Sequence, residues 1–295
     1  MLIGKDDMIH RTVLTSCLAG LAIILQASGA LAVDVNAQLE RIGKPVADGV
    51  NFQAPVTEVA RDIVWLDNIV NVIGAIICVF VLGLLAIVIV RYNSRMNPKA
   101  AQFTHNTRIE FIWTVVPILI LVGIGTISLP ILFKQQRLPE ADITIKATGN
   151  QWYWTYEYMD NEFSFDSFML QKDELADRGY MADEYMLATD NPIVLPVDKT
   201  VVVYVTASDV IHAWTVPAFG VKQDGVPGRL AGLWFKPETE GIYFGQCSEL
   251  CGKDHTYMPI TVKVVSEDVY EDWLKRATEE FASAKPDDTI MLAAR

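Results

Sequence analysis

Histidine and cysteine are scarce in this chain, with four of each among 295 residues. The sequence contains no C-x-x-C-H haem-attachment motif, which excludes covalently bound c-type haem. No internal repeat is visible, which argues against a solenoid or propeller. Charge is absent from Ile69 to Val90, a run of 22 residues, and acid is absent from the loop Arg91 to Arg108. The formal net charge of −12 argues against a nucleic-acid partner. From Lys134 onward, 27 Asp and Glu face 15 Lys and Arg, so the whole excess lies in the C-terminal half. Such a domain suits a basic partner or a cationic site, although solubility alone explains it as well.

What is present begins with a targeting signal over residues 1–32. Met8 to Arg11 supplies a basic start, Val13 to Leu25 an apolar core, and Ala30 and Ala32 an A-x-A cleavage pattern. The core is too short to span a bilayer. LTSC, ending at Cys17, resembles a lipoprotein box, but most of the apolar core follows that cysteine instead of preceding it. Residues 33–68 then read as an exported segment and residues 69–133 as a two-helix transmembrane hairpin. As a helix, Ile69 to Val90 is about 33 Å long, enough to cross. The second run, Ile109 to Phe133, carries only Glu110 at its start, and Pro117 and Pro130 kink it or mark its ends. The loop between the runs holds Arg91, Arg95, Lys99 and Arg108, which places it in the cytoplasm and both mature termini outside.

Residues 134–265 read as β structure. DITIKATG, QWYWTYEYM, TVVVYVTA, RLAGLWFK, GIYFGQC and MPITVKVV are short β-branched and aromatic runs separated by Gly, Pro, Asn and Asp. Thr200 to Ala207 is apolar enough to be buried on both faces. The expected architecture is a Greek-key sandwich or barrel, with Asp160 to Pro192 as an irregular insertion. Residues 266–295 begin with Ser266 and two acids, the signature of a terminal helix followed by a tail.

Within the β region only Cys247, Cys251, His212 and His255 are available for metal or redox chemistry, with Met258 three residues beyond the last histidine. Cys78, in the first membrane run, reads as a small apolar filler. A Cys247–Cys251 disulfide is allowed in an exported domain, but it leaves His212, His255 and Met258 without a role. A Cys2His2 zinc site needs paired histidines after the cysteines, and a thioether is a poor zinc ligand. Thiolate, imidazole and thioether together suit copper. One thiolate more than a mononuclear blue-copper site needs is consistent with two bridged copper ions, one histidine for each.

The helical pair, QWYWTYEY, DVIHAWTVPAFGVKQDGVPGR and FGQCSELCGKDHTYMP together resemble subunit II of the haem-copper cytochrome c oxidases, of the bacterial type similar to the mitochondrial one. The resemblance covers essentially the whole mature chain. It implies a cupredoxin-like domain holding a binuclear CuA centre, with His212, Cys247, Cys251, His255, Met258 and the carbonyl of Glu249 as ligands. The Glu249 side chain would face a magnesium ion shared with subunit I. Trp152 would be the electron entry point, and Glu157, Asp166, Asp190 and Asp209 the docking surface for a lysine-rich cytochrome c. Glu110 would open a proton path into subunit I, where the sequence alone supports an ordinary helix N-terminal acid equally. Other implied partners are subunit III and membrane lipid, in a bacterial inner membrane with the C-terminal domain in the periplasm. The competing functions are a metal-free structural subunit of the quinol-oxidase type and a membrane-tethered copper carrier. The first would lack the ligands, and the second would expose them. Asn150, where relatives often carry His, and the pair Lys253 and Asp254 in the ligand loop depart from the family pattern.

Overall fold

The computed structural model describes residues 39–99 and 101–281, so the targeting signal and the tail beyond Phe281 lie outside the described residues. Helix α1 spans Glu58–Arg91 and helix α2 spans Thr107–Gln136. At about 1.5 Å per residue each exceeds the roughly 30 Å hydrocarbon layer. Their long apolar stretches are unburied by the rest of the chain, which suits lipid or neighbouring subunits and not water. Cys78 accordingly sits exposed on α1, outside the packing of this chain. Helix α2 runs through both Pro117 and Pro130 without ending at either.

The first helix begins well before the apolar run because its first turns are tied to the β domain. Thr57 caps it, accepting from Ala60 N–H and donating to the Phe219 carbonyl at 2.8 Å. Arg61 grips Glu238 with both guanidinium nitrogens at 2.7 and 2.8 Å. Lys134, near the end of α2, pairs with Glu58 and Asp62 of α1, and its carbonyl accepts from Trp234 Nε1 at 3.1 Å. The ends of the hairpin nearest the β domain are thereby fastened to each other and to that domain.

Ten strands build that domain. β1 (Ile143–Asn150), β2 (Tyr153–Tyr158), β3 (Phe163–Ser167), β5 (Val201–Ala207) and β8 (Ala231–Phe235) form one sheet in the order β3-β2-β1-β5-β8. β4 (Ile193–Pro196), β10 (Pro259–Val265) and β9 (Gly241–Gln246) form a second, and β6 (His212–Val216) pairs with β7 (Val221–Gly225). β1–β5 and β10–β4 are parallel and the other pairs antiparallel, so connections must cross between sheets, as in a Greek key. The interior is aromatic. Trp154, Tyr156 and Tyr158 alternate inward along β2 and are fully buried. Their polar tips are satisfied across the core: Trp214 Nε1 donates to Tyr156 Oη, and Tyr158 Oη bonds Val194 of the other sheet.

The expected architecture of helical hairpin, Greek-key β domain and terminal helix is present. One detail differs from the sequence reading, and one adds to it. Asp160 to Pro192 is not wholly an insertion, because FSFDS forms edge strand β3, its two phenylalanines inward. The inward face of β2 begins at Trp154; Trp152 stands outside it in the β1–β2 turn. Helix α3 (Glu267–Phe281) packs beside β3, with Trp273 against Tyr158 and Phe163 and Phe281 against Phe165.

Candidate metal centre

Three strand ends meet at one pole of the domain. His212 opens β6, Cys247 directly follows β9, and Met258 directly precedes β10. The loop between the last two carries Cys251 and a single 3-10 turn, His255–Tyr257. Ser248 N–H donates to the Ala213 carbonyl at 3.0 Å and pins this loop beside His212. Fixing both ends of the loop on strands limits how far the donors can move, which is what a preorganised site requires.

The sulfurs of Cys247 and Cys251 lie 3.9 Å apart. A disulfide would need about 2.05 Å, so these are separate thiols. Every remaining donor approaches one of them. His212 Nδ1 is 3.8 Å from Cys247 Sγ, and the Glu249 carbonyl is 3.3 Å from it. His255 Nδ1 and Met258 Sδ lie 3.4 and 3.5 Å from Cys251 Sγ. His212, Cys247, Cys251 and Met258 are buried, while His255 is half-exposed at the rim. Two thiols, two imidazoles, a thioether and a carbonyl are a soft donor set without carboxylate, which fits copper better than zinc or calcium.

Neighbouring groups prepare these donors. His212 Nε2 is 2.9 Å from Asp209 Oδ1, which assigns the N–H to that nitrogen and leaves Nδ1 for the cluster. Burial disfavours charge on His212, but the bonds to Cys247 and Asp209 outweigh it and raise its pKa above the ordinary value. Burial likewise pushes the Cys247 thiol up, yet the bond to His212 and the Glu249 and Ala213 backbone contacts bring it below the usual range. Cys251 goes the other way, pushed up to about 12 by burial and then by the adjacent Cys247 charge. Metal binding must therefore displace the Cys251 proton. Gly149 of β1 completes the enclosure: a Cβ there would lie 2.8 Å from the His212 ring.

Trp152 is half-buried against the same loop, its Nε1 donating to the Cys251 carbonyl at 3.1 Å. Gln151 Nε2 donates to that carbonyl at 2.8 Å, and Gln151 N–H is held by Asp209 Oδ2 at 2.7 Å. Asn150 bonds Thr155 and Ser208 and faces no sulfur donor. The Glu249 side chain is exposed.

The four acids grouped as a docking surface do not share one environment. Asp166 and Asp209 are exposed. Asp190 is half-buried, with Oδ1 accepting from Phe168 and Asn191 N–H at 2.7 Å; burial raises its pKa despite those bonds. Glu157 departs from the expectation outright. It is buried and ion-paired with Lys146, its cross-strand neighbour on β1, so it offers no charge to a partner. Glu110 reaches back to Asn106 N–H at 3.1 Å while Asn106 caps Ile109, a reciprocal helix cap.

Residues that motif reading overlooks are Asp209 as the orienter of His212, Gln151 as a clamp on Cys251, and Gly149. The first had a signal, the three-residue spacing of Asp209 from His212. The other two depend on contacts between distant strands.

Comparison with known proteins gives one answer. Residues 143–265 match the family model for the cytochrome c oxidase subunit II periplasmic domain, and residues 45–131 the model for its transmembrane domain. Cytochrome c oxidase subunit 2 of Cereibacter sphaeroides is 52% identical over 296 residues, covering 95% of this chain and 97% of that one. The probable cytochrome c oxidase subunit 2 of Rickettsia prowazekii is 43% identical over 232 residues, covering 78% of this chain and 73% of that one. The solved periplasmic domain of subunit II of the Bradyrhizobium japonicum cytochrome oxidase is 49% identical, covers 49% of this chain and 99% of that one, and has a TM-score of 0.45.

Proposed function

The chain belongs to the cytochrome c oxidase subunit II family, a membrane subunit with a periplasmic domain, and on that premise we propose that its sulfur–imidazole cluster is the electron-entry centre of a respiratory terminal oxidase. Electrons would arrive from cytochrome c and leave for the haem of subunit I, where oxygen is reduced to water. The observation that carries the reading is the convergence of the His212, His255, Met258 and Glu249 donors on two unbonded thiols. Two copper ions held there would supply a one-electron couple with the charge shared between them.

The chain's own residues would do the rest. Cys247, Cys251, His212, His255, Met258 Sδ and the Glu249 carbonyl would hold the copper. Burial of the thiols excludes water, and strand anchoring holds the geometry constant between redox states. Trp152, one hydrogen bond from the Cys251 backbone, connects the surface to the ligand loop. Asp166, Asp190 and Asp209 would attract a lysine-rich cytochrome c by long-range steering. The Glu249 side chain would hold magnesium together with subunit I. Glu110 would stand at the mouth of a proton path, subunit III and lipid would surround the hairpin, and the membrane would be the bacterial inner membrane.

Rapid mixing of reduced cytochrome c with the oxidase tests this. Fast electron entry is expected in the parent and its loss in Cys251→Ser, with the subunit I haem spectrum retained. Undiminished entry in Cys251→Ser contradicts the proposal.

A further inference from the structure

We propose that Lys253 is a specificity-determining residue of the electron-entry surface, selecting redox partners that present a carboxylate and not an ammonium opposite the Trp152 ring. The inference rests on the reading of Trp152 as the entry point. Gly252 stands at φ +121°, and a Cβ there would lie 3.0 Å from Trp152 Cζ2. A side chain at this position would be strained and crowded, so glycine lets the loop turn tightly against the indole. The turn carries the next residue over the ring, with Lys253 Nζ 5.6 Å from its centroid. The ammonium is attracted to the π face, but the side chain remains 77% exposed. Asp254 lies 3.5 Å from Nζ. An exposed pair of that kind does not fix the lysine, and Asp254 offsets part of its field, so the effect of Lys253 on a partner is at most that of one unit charge.

The surroundings have the opposite sign. Asp166 and Asp209 both act on Tyr153, next to Trp152, adding to the burial that raises its phenol pKa. The entry surface is therefore a cation over an indole, flanked by acids on a domain that is acidic as a whole. A partner with the complementary pattern has a basic rim around an acidic centre. A partner that places lysine over Trp152 is still drawn in by the long-range field, then opposed at contact. One like charge about 5 Å away in water opposes binding about fourfold, less with added salt.

The test uses the whole oxidase with Lys253→Gln, Lys253→Glu and Lys253→Arg. Each is mixed with a reduced lysine-rich cytochrome c and with its variants in which single haem-edge lysines are replaced by glutamate. Association is read from the concentration dependence, transfer from the saturating rate, and the copper spectrum confirms an intact centre. The lysine-rich cytochrome should associate about fourfold faster with Lys253→Gln, and faster still with Lys253→Glu. The ranking of the cytochrome variants should reorder at one lysine, while Lys253→Arg keeps the parent ranking. An unchanged ranking across all three substitutions overturns the inference, as does a uniform change for every cytochrome, which would make Lys253 only part of the net charge. Parent-rate transfer in Trp152→Phe would sink the entry reading instead, a separate observation on the same instrument.

Discussion

His212 gives its Nε2–H to Asp209 Oδ1 at 2.9 Å and so turns Nδ1 toward Cys247 Sγ, 3.8 Å away. The same carboxylate holds Gln151 N–H through its other oxygen at 2.7 Å. An acid that looks like a surface docking group therefore also orients an imidazole of the proposed centre. Asp209→Ala should lower copper affinity about 10–100-fold, measured by chelator competition, with Asp209→Asn intermediate because one acceptor remains. Gly149→Ala should weaken copper binding from the opposite side, since its Cβ would press on the imidazole. Parent affinity in both Asp209→Ala and Gly149→Ala would mean that His212 needs no such support.

Glu157 and Asp166 separate stability from docking. Glu157→Ala strands a buried Lys146 and should destabilise the domain by about 3–5 kcal/mol in chemical unfolding. The Lys146→Met/Glu157→Leu double variant removes the pair together and should recover much of that loss. Asp166→Asn should leave unfolding nearly unchanged while slowing cytochrome c association and flattening its salt dependence. A Glu157 variant that folds normally and binds cytochrome c poorly would return this residue to the docking set.

Trp152→Phe keeps an aromatic ring and loses only one of two donors to the Cys251 carbonyl, because Gln151 remains. The copper spectrum should persist, with transfer from cytochrome c falling at least about tenfold at near-parent affinity, about 1.4 kcal/mol in barrier. Met258→Leu should do the reverse. Its side chain is almost fully buried, so a volume-conserving change costs less than about 1.5 kcal/mol in stability. Docking should be preserved while the spectrum and potential shift. Rapid mixing and redox titration on both variants distinguish the two roles.

The hairpin is legible in the sequence because 22 residues without charge leave few alternatives. The start of α1 is not, because Thr57 and Arg61 extend the helix through contacts with Phe219 and Glu238, far along the chain. β3 and β7 are obscured by polar composition: FSFDS lies in an acid-rich stretch, and VKQDG is mostly polar. The spacing of Cys247, Cys251, His255 and Met258 makes most of the site readable, since one short loop carries those donors. Burial is what sequence spacing could not supply. Glu157 and Asp166 are both acids in neighbouring strands, yet one is sealed under Lys146 and the other is in solvent.

Asp190 carries a pH signature. Burial raises its folded-state pKa, although two backbone N–H groups bond its carboxylate. A raised pKa in the folded state contributes stability below the ordinary carboxylate range, and that contribution is lost as pH rises through the raised value. Both bonds go to Oδ1, which Asn can reproduce. Asp190→Asn should be at least as stable as the parent at neutral pH, and the difference should shift in the parent's favour on acidification. Thermal unfolding across pH 3–7 checks this; a variant less stable at neutral pH than at acid pH, relative to the parent, would contradict it.

The most direct test of the proposed centre is copper stoichiometry together with EPR on the full-length chain, loaded with copper in the absence of the other subunits. Two coppers per chain and hyperfine splitting from two equivalent copper nuclei are expected, both abolished by Cys247→Ser. One copper per chain with splitting from a single nucleus, or zinc retained in preference to copper, would contradict a binuclear electron-entry site.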